Sequence, residues 1–428
     1  MAEAGRPAPT AATADQEPPG RWKLIGPGLM VAATGVGAGD LVATLVAGQK
    51  FGYALLWVVV LGCLLKIILV EGAGRFSLAT QKTIFQGWRS LGLWTSIYFG
   101  PYIVVWGFVY GATAMLSTAL PLASLFPQVP LPVFAIASGL IGFVLVWFNR
   151  YSGFEKITAV LVGVMFLTVV GAAVLTLPNL LDVLSGLVPR VPEGSIVNVL
   201  SVAGGVGGTI TLAAYGYWLR EKGWHTPKFM KVMRIDNAMA YVVTGVFVVA
   251  MLIVGAELLY SAGLAIDSGD RGLLSLADVL SERYGVVYGK VFLIGFWAAS
   301  FSSILGVWNG VSLMFADFIG HSRGLEPGHP DTRVGGKWFK VYLLWLTFPP
   351  IILVFVGEPV PVILAYGVLG AFFMPFLAIT LLWLLNSRHT PQPWRNQLLG
   401  NVGLGLVALF FVVLAVQQLQ SAISDVTG

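Results

Sequence analysis

Runs of about 20 apolar residues, the length a helix needs to cross a bilayer, recur along the whole chain. They fall at 24–47, 53–74, 94–120, 131–149, 155–177, 197–219, 236–260, 286–316, 338–357, 361–386 and 398–418. The pattern predicts eleven transmembrane helices, here called spans 1 to 11. Basic residues follow the same rhythm. With the N-terminus in the cytoplasm, the inner loops hold Lys82 and Arg89, Arg150 and Lys156, a cluster from Arg220 to Arg234, another from Arg323 to Lys340, and Arg388 with Arg395. The outer loops hold few, such as Lys50, Arg190, Arg271 and Arg283. Cytoplasmic loops carry the excess of Lys and Arg. The N-terminus is therefore expected inside and the C-terminus outside, in the plasma (inner) membrane.

Two spans carry interruptions. Span 1 contains Thr34-Gly35-Val36-Gly37-Ala38-Gly39-Asp40. Each glycine costs a helix interior about 1 kcal/mol relative to alanine, and an acid near mid-membrane costs at least ~2.5 kcal/mol. Non-helical backbone survives at that depth only where it is buried in protein or lines a wet cavity. Span 6 contains Gly204-Gly205-Val206-Gly207-Gly208-Thr209. Glycines also let membrane helices pack closely. Two interruptions at corresponding positions of two five-helix halves, one beside an acid, point instead to an inverted repeat with a binding site between the breaks. The expected organisation is a disordered cytoplasmic N-terminus at 1–22, a first repeat at 23–177, a second at 197–386 and an added helix at 398–418.

Composition narrows the class. The chain is 57% hydrophobic and 11% charged, against roughly 25% charged in a soluble domain, so the fold class is an all-α polytopic membrane protein. Cys63, the single cysteine, excludes an internal disulfide and a cysteine-based metal cluster. The net charge of +5 resides in orientation-setting loops and gives no nucleic-acid surface. The Gly-x-Gly-x-Gly of span 1 follows no strand and is no dinucleotide fingerprint. No HExxH, GxSxG or Walker motif occurs, so neither an enzyme nor an ATP-driven pump is expected, and no cofactor. The expected partners are a small ion or solute and the lipid bilayer; the sequence names no protein partner.

Several stretches carry a family resemblance. Gly26-Pro27-Gly28, the run Leu41 to Gly48, and Phe51-Gly52-Tyr53-Ala54-Leu55-Leu56-Trp57 resemble the first helix and following turn of the Nramp metal-ion transporters. Gly295-Phe296-Trp297-Ala298-Ala299-Ser300-Phe301-Ser302-Ser303 resembles that family's eighth helix, Met374-Pro375-Phe376 its tenth, and Arg150 to Glu155 its fourth loop. The resemblance implies a LeuT-like fold: two inverted repeats of five helices with helices 1 and 6 broken, plus an eleventh helix.

The metal site implied by the family is altered. Where the family has Asp-Pro-Gly-Asn, this chain reads Gly37-Ala38-Gly39-Asp40. The family's Met-Pro-His is absent, because Thr209 to Leu219 contains neither methionine nor histidine. A thioether that helps select transition metals is thus missing, and a family glutamine falls at Phe373. Trp94 to Leu120 holds no acid, and the four histidines (His225, His321, His329, His389) fall in the predicted cytoplasmic loops. Proton relays in membranes need such groups inside the spans.

The remaining polar residues define the candidate site. Asp40 either ligates a hard cation, with carbonyls and retained water completing its shell, or caps the second half of span 1. The substrate-facing set is Gly37, Ala38, Gly39, Asp40, Gly208, Thr209, Leu212, Tyr215 and Phe373. Lys66, deep in span 2, either stands in for a bound cation, pairs with Glu71 or Asp40, or snorkels to an interface. Ser300, Ser303 and Asn309 on span 8 form a candidate polar pathway. Lys66, Glu71, Ser300 and Asn309 are the coupling or gating set. The leading expectation is a secondary transporter of a small anion or zwitterion such as bicarbonate or a carboxylate, drawn by exposed half-helix N–H dipoles. The alternatives are a divalent-metal transporter (Mg²⁺ or Mn²⁺) using Asp40, and a transport-dead sensor or scaffold.

Overall fold

The structure is a computed structural model that describes residues 27, 38–148, 151–261, 271–326 and 328–427. The N-terminal segment 1–22 and most of the first half of span 1, Gly37 included, lie outside the described residues. For Ala38, Gly39 and Asp40 the helical backbone alone is described.

In chain order the helices are α1 (Ala38–Phe51), α2 (Leu56–Thr80), α3 (Ile84–Leu91), α4 (Leu93–Leu125), α5 (Leu131–Phe148), α6 (Tyr151–Leu175), α7 (Leu180–Ser185) and α8 (Ile196–Gly205). They continue as α9 (Thr211–Glu221), α10 (Met230–Val254), α11 (Arg271–Tyr284), α12 (Val286–Ser322), α13 (Lys337–Thr347), α14 (Ile351–Val356), α15 (Pro359–Asn386) and α16 (Leu398–Thr427). Among the described residues, eight helices are long and apolar enough to cross a membrane. Every predicted span has a helical counterpart there. Helices such as α15 are apolar all round, because protein and lipid both present hydrocarbon to them. Burial separates them: α12 is mostly enclosed, whereas α16 lies largely exposed at the edge.

Three features depart from the hydropathy pattern. Short helices α3, α7 and α11 fill stretches read as loops; α3 is fixed by Thr83, which forms a capping box with Gln86. Span 9 is split into α13 and α14 at Phe348-Pro349-Pro350, as proline removes a helical N–H. Span 7 starts at Met230 instead of 236. Its first two turns are amphipathic, with Lys231 and Arg234 exposed while Asp236 and Asn237 are buried.

Span 6 is broken as expected, into α8 and α9 with residues 206–210 between them. Its glycines divide the two roles weighed above. Gly204 supports packing: a side chain there would strike the Gly367 carbonyl of α15. Gly207 and Gly208 make the break, with φ of +73° and +95°, a region other residues enter at about 1–2 kcal/mol. Around this break, α1 packs on α4, α8, α10 and α15, while α2 packs on α9 and α10. At the other end of α1, Tyr53 donates a 2.6 Å hydrogen bond to Glu257 in the π-helical turn that extends α10.

Candidate functional site

The centre of the molecule is the non-helical turn of span 6. A helix ends with carbonyls that have no intrahelical partner, and within hydrocarbon these must be satisfied by protein. Lys66, fully buried in α2, does this. Its Nζ donates to the carbonyls of Gly204 at 2.7 Å, Gly208 at 2.6 Å, and Val206 between them. From α10, the Tyr241 hydroxyl donates to the Gly207 carbonyl at 2.8 Å. The ammonium therefore sits against the negative end of the α8 dipole, where a cation is favoured. Full burial and these three carbonyl contacts place the Lys66 ammonium inside the protein and leave no snorkelling to an interface. Pairing with Glu71 is also removed, because Glu71 is taken by Arg234 Nε at 2.9 Å and Arg75 Nε at 3.2 Å. The Asp40 side chain lies outside the described residues.

On the far side of the break, Thr209 is held by an aromatic wall. Trp106 Nε1 donates to its hydroxyl at 3.1 Å, and the Tyr366 hydroxyl lies at 3.4 Å. Trp106 stacks flat on Tyr110, one turn on in α4, with centroids 4.7 Å apart. Below the break, the Tyr215 hydroxyl bonds to Asp236 at 2.8 Å. Leu212 is fully buried in α9. At the head of α9, Thr211 Oγ1 is buried and makes no hydrogen bond among the described residues. Phe373 stacks on Tyr102 at 5.4 Å, within an aromatic cluster of α4 and α15.

The span 8 serines are drawn onto α4 in a ladder: Ser300 to Ser117 at 3.1 Å and Ser303 to Tyr110 at 2.8 Å. Asn309 is buried further along α12. Towards the predicted cytoplasmic end, Tyr217 donates to Asp317 at 2.7 Å, and Arg220 to the Gln81 carbonyl at 2.7 Å. His321, expected in a loop, belongs to α12 and lies 3.3 Å from Asp317. Tyr217, Arg220 and Asp317 border a cavity of about 320 Å³ that also touches Thr83, Glu221 and Arg333. Among the described residues, no three of His, Cys, Asp or Glu converge as a metal cluster.

Sequence reasoning missed four contributors. Asp236 was overlooked because the basic residues around it mimic a loop. Trp106 and Tyr110 carried a usable signal, since their spacing of four puts both on one face of a helix. Tyr366, an isolated tyrosine within span 10, carried none.

The family model described as "Natural resistance-associated macrophage protein-like" (Nramp) matches residues 28–421. The chain is 25% identical over 430 residues to the divalent metal cation transporter MntH of Chromohalobacter salexigens, covering 92% of this chain and 91% of that protein. It is 24% identical over 315 residues to MntH of Bacillus subtilis, covering 69% and 71%. Among solved structures, the manganese transporter of Eremococcus coleocola in complex with an aromatic bis-isothiourea substituted compound superposes with a TM-score of 0.76 at 18% identity, over 97% of this chain and 91% of that one. MhsT in complex with L-phenylalanine gives a TM-score of 0.62 at 14% identity, over 91% and 97%.

Proposed function

The chain belongs to the Nramp family, as an integral membrane secondary transporter of LeuT-like fold and not an enzyme, and on that premise we propose that its cargo is a hard divalent cation carried with part of its water shell. The relatives named for divalent-metal transport move this reading away from the anion expected from sequence. The carrying observation is the donor chemistry at the span 6 break. Thr211 offers a buried hydroxyl with no hydrogen bond among the described residues, and sulfur and imidazole are absent from 209–219. Oxygen-only donors suit Mg²⁺ or Mn²⁺ more than softer ions. In this reading Asp40, in the first turn of α1, supplies the carboxylate, and α1 is one of the helices that pack on α8. The repeats 23–177 and 197–386 would rock about this site, with the N-terminus inside the plasma membrane and the C-terminus outside.

Proteoliposomes loaded with a divalent-sensitive dye test the proposal. Mg²⁺ or Mn²⁺ uptake should be saturable, and Asp40→Asn should reduce it by about tenfold or more, the order expected when a buried charged partner is removed. Thr211→Val should produce a smaller loss. One feature favours a second reading: Lys66 places a fixed positive charge in the break. Absence of divalent flux, together with uptake of bicarbonate or a carboxylate, would sink the cation proposal and favour the anion.

A further inference from the structure

The surroundings of Lys66 have the make-up of an ion site. Three carbonyl oxygens converge on one point, Gly204 from the last turn of α8 and Val206 and Gly208 from the non-helical turn that follows it. Positive φ at Gly207 and Gly208 folds the chain back after Val206, so that the Gly208 carbonyl meets the same ammonium as the carbonyl at the end of α8. Neutral, hard carbonyl oxygens at a half-helix C-terminus are ligands for small monovalent cations. The lysine ammonium has three N–H donors, matching the three acceptors. Burial of the whole group and the brace from Tyr241 to the intervening Gly207 carbonyl give the nest a fixed shape.

We propose that this nest is a monovalent-cation site kept filled by the chain's own ammonium, so that Lys66 is a tethered occupant in place of a diffusible ion such as Na⁺ or K⁺. The inference concerns the nest and is independent of which cargo the transporter carries. It has two consequences. The native protein has no use for Na⁺ or K⁺ at this position. Shortening the side chain uncovers a vacant site of ammonium size, which Na⁺, K⁺ or methylammonium then enters.

The test uses the full chain in detergent as a fluorescent-protein fusion, unfolded thermally in choline, sodium, potassium or methylammonium chloride at one ionic strength. The native protein should melt alike in all four salts. Lys66→Ala should melt lower in choline and rise by about 4 °C or more in at least one small cation, because a ligand that binds the folded state alone stabilises it by mass action. Lys66→Met, which fills the space without charge, should not respond. Extraction in each salt covers poor folding: the alanine variant should be recovered as a monodisperse species best in the cation that stabilises it. Failure of every small cation to stabilise or recover Lys66→Ala overturns the proposal. An equal response from Lys66→Met overturns it as well, as does a native protein stabilised by Na⁺ or K⁺ over choline.

Discussion

The break between α8 and α9 and the break between α13 and α14 both interrupt a membrane span, but they are repaired from different places. At Phe348-Pro349-Pro350 the chain repairs itself. Phe348 N–H reaches the Leu344 carbonyl, and the amides of Ile351, Ile352 and Leu353 reach the carbonyls of Phe348, Pro349 and Pro350, all at 3.0–3.2 Å. At residues 206–210 the carbonyls are satisfied largely from outside, by Lys66 of α2 and Tyr241 of α10. A proline kink closed by its own backbone is a bend in a rod. A glycine turn whose carbonyls depend on neighbouring helices is a junction, and its shape changes whenever those neighbours move.

The largest expected effect that sharpens this contrast is Lys66→Met. Stripping a buried charge from the carbonyls it serves should lower stability by about 3–5 kcal/mol, read by thermal unfolding, and abolish flux in proteoliposomes. A variant as stable as the native protein would mean that the junction does not depend on α2. Tyr241→Phe removes one neutral hydrogen bond and should cost about 1 kcal/mol. Hydrogen exchange at 206–211 should quicken in this variant while exchange in α13 and α14 stays unchanged. Pro349→Ala, at the self-repaired bend, should alter stability by about 0.5 kcal/mol or less and leave flux intact. A loss as large as that for Lys66→Met would erase the distinction between the two breaks.

Much of this architecture was legible in the chain. The span positions follow from apolar run length, and the break of span 6 follows from glycines that no helix interior favours. The depth of Lys66 was equally plain, since no loop lies within ten residues of it on its N-terminal side. Its partners were hidden because they are backbone atoms, to which any sequence contributes alike. Asp236 was obscured for another reason. Hydropathy averages over a window, and Lys231 and Arg234 lower that average even though they occupy the exposed face of a helix whose other face is buried. His321 was misplaced in the same way, at the last turn of α12. The split of span 9 had a visible signal in Pro349-Pro350, which the apolar run concealed.

The contact between Gly204 of α8 and Gly367 of α15 also constrains how the protein moves. Backbone rests on backbone there, with no side chain between to change rotamer and let one helix slide along the other. Contact this close holds the two helices tightly against each other and leaves no room for a side chain at either glycine. What joins this paired unit to α9 is the short link 206–210 alone within span 6, the one stretch of that span without helical backbone.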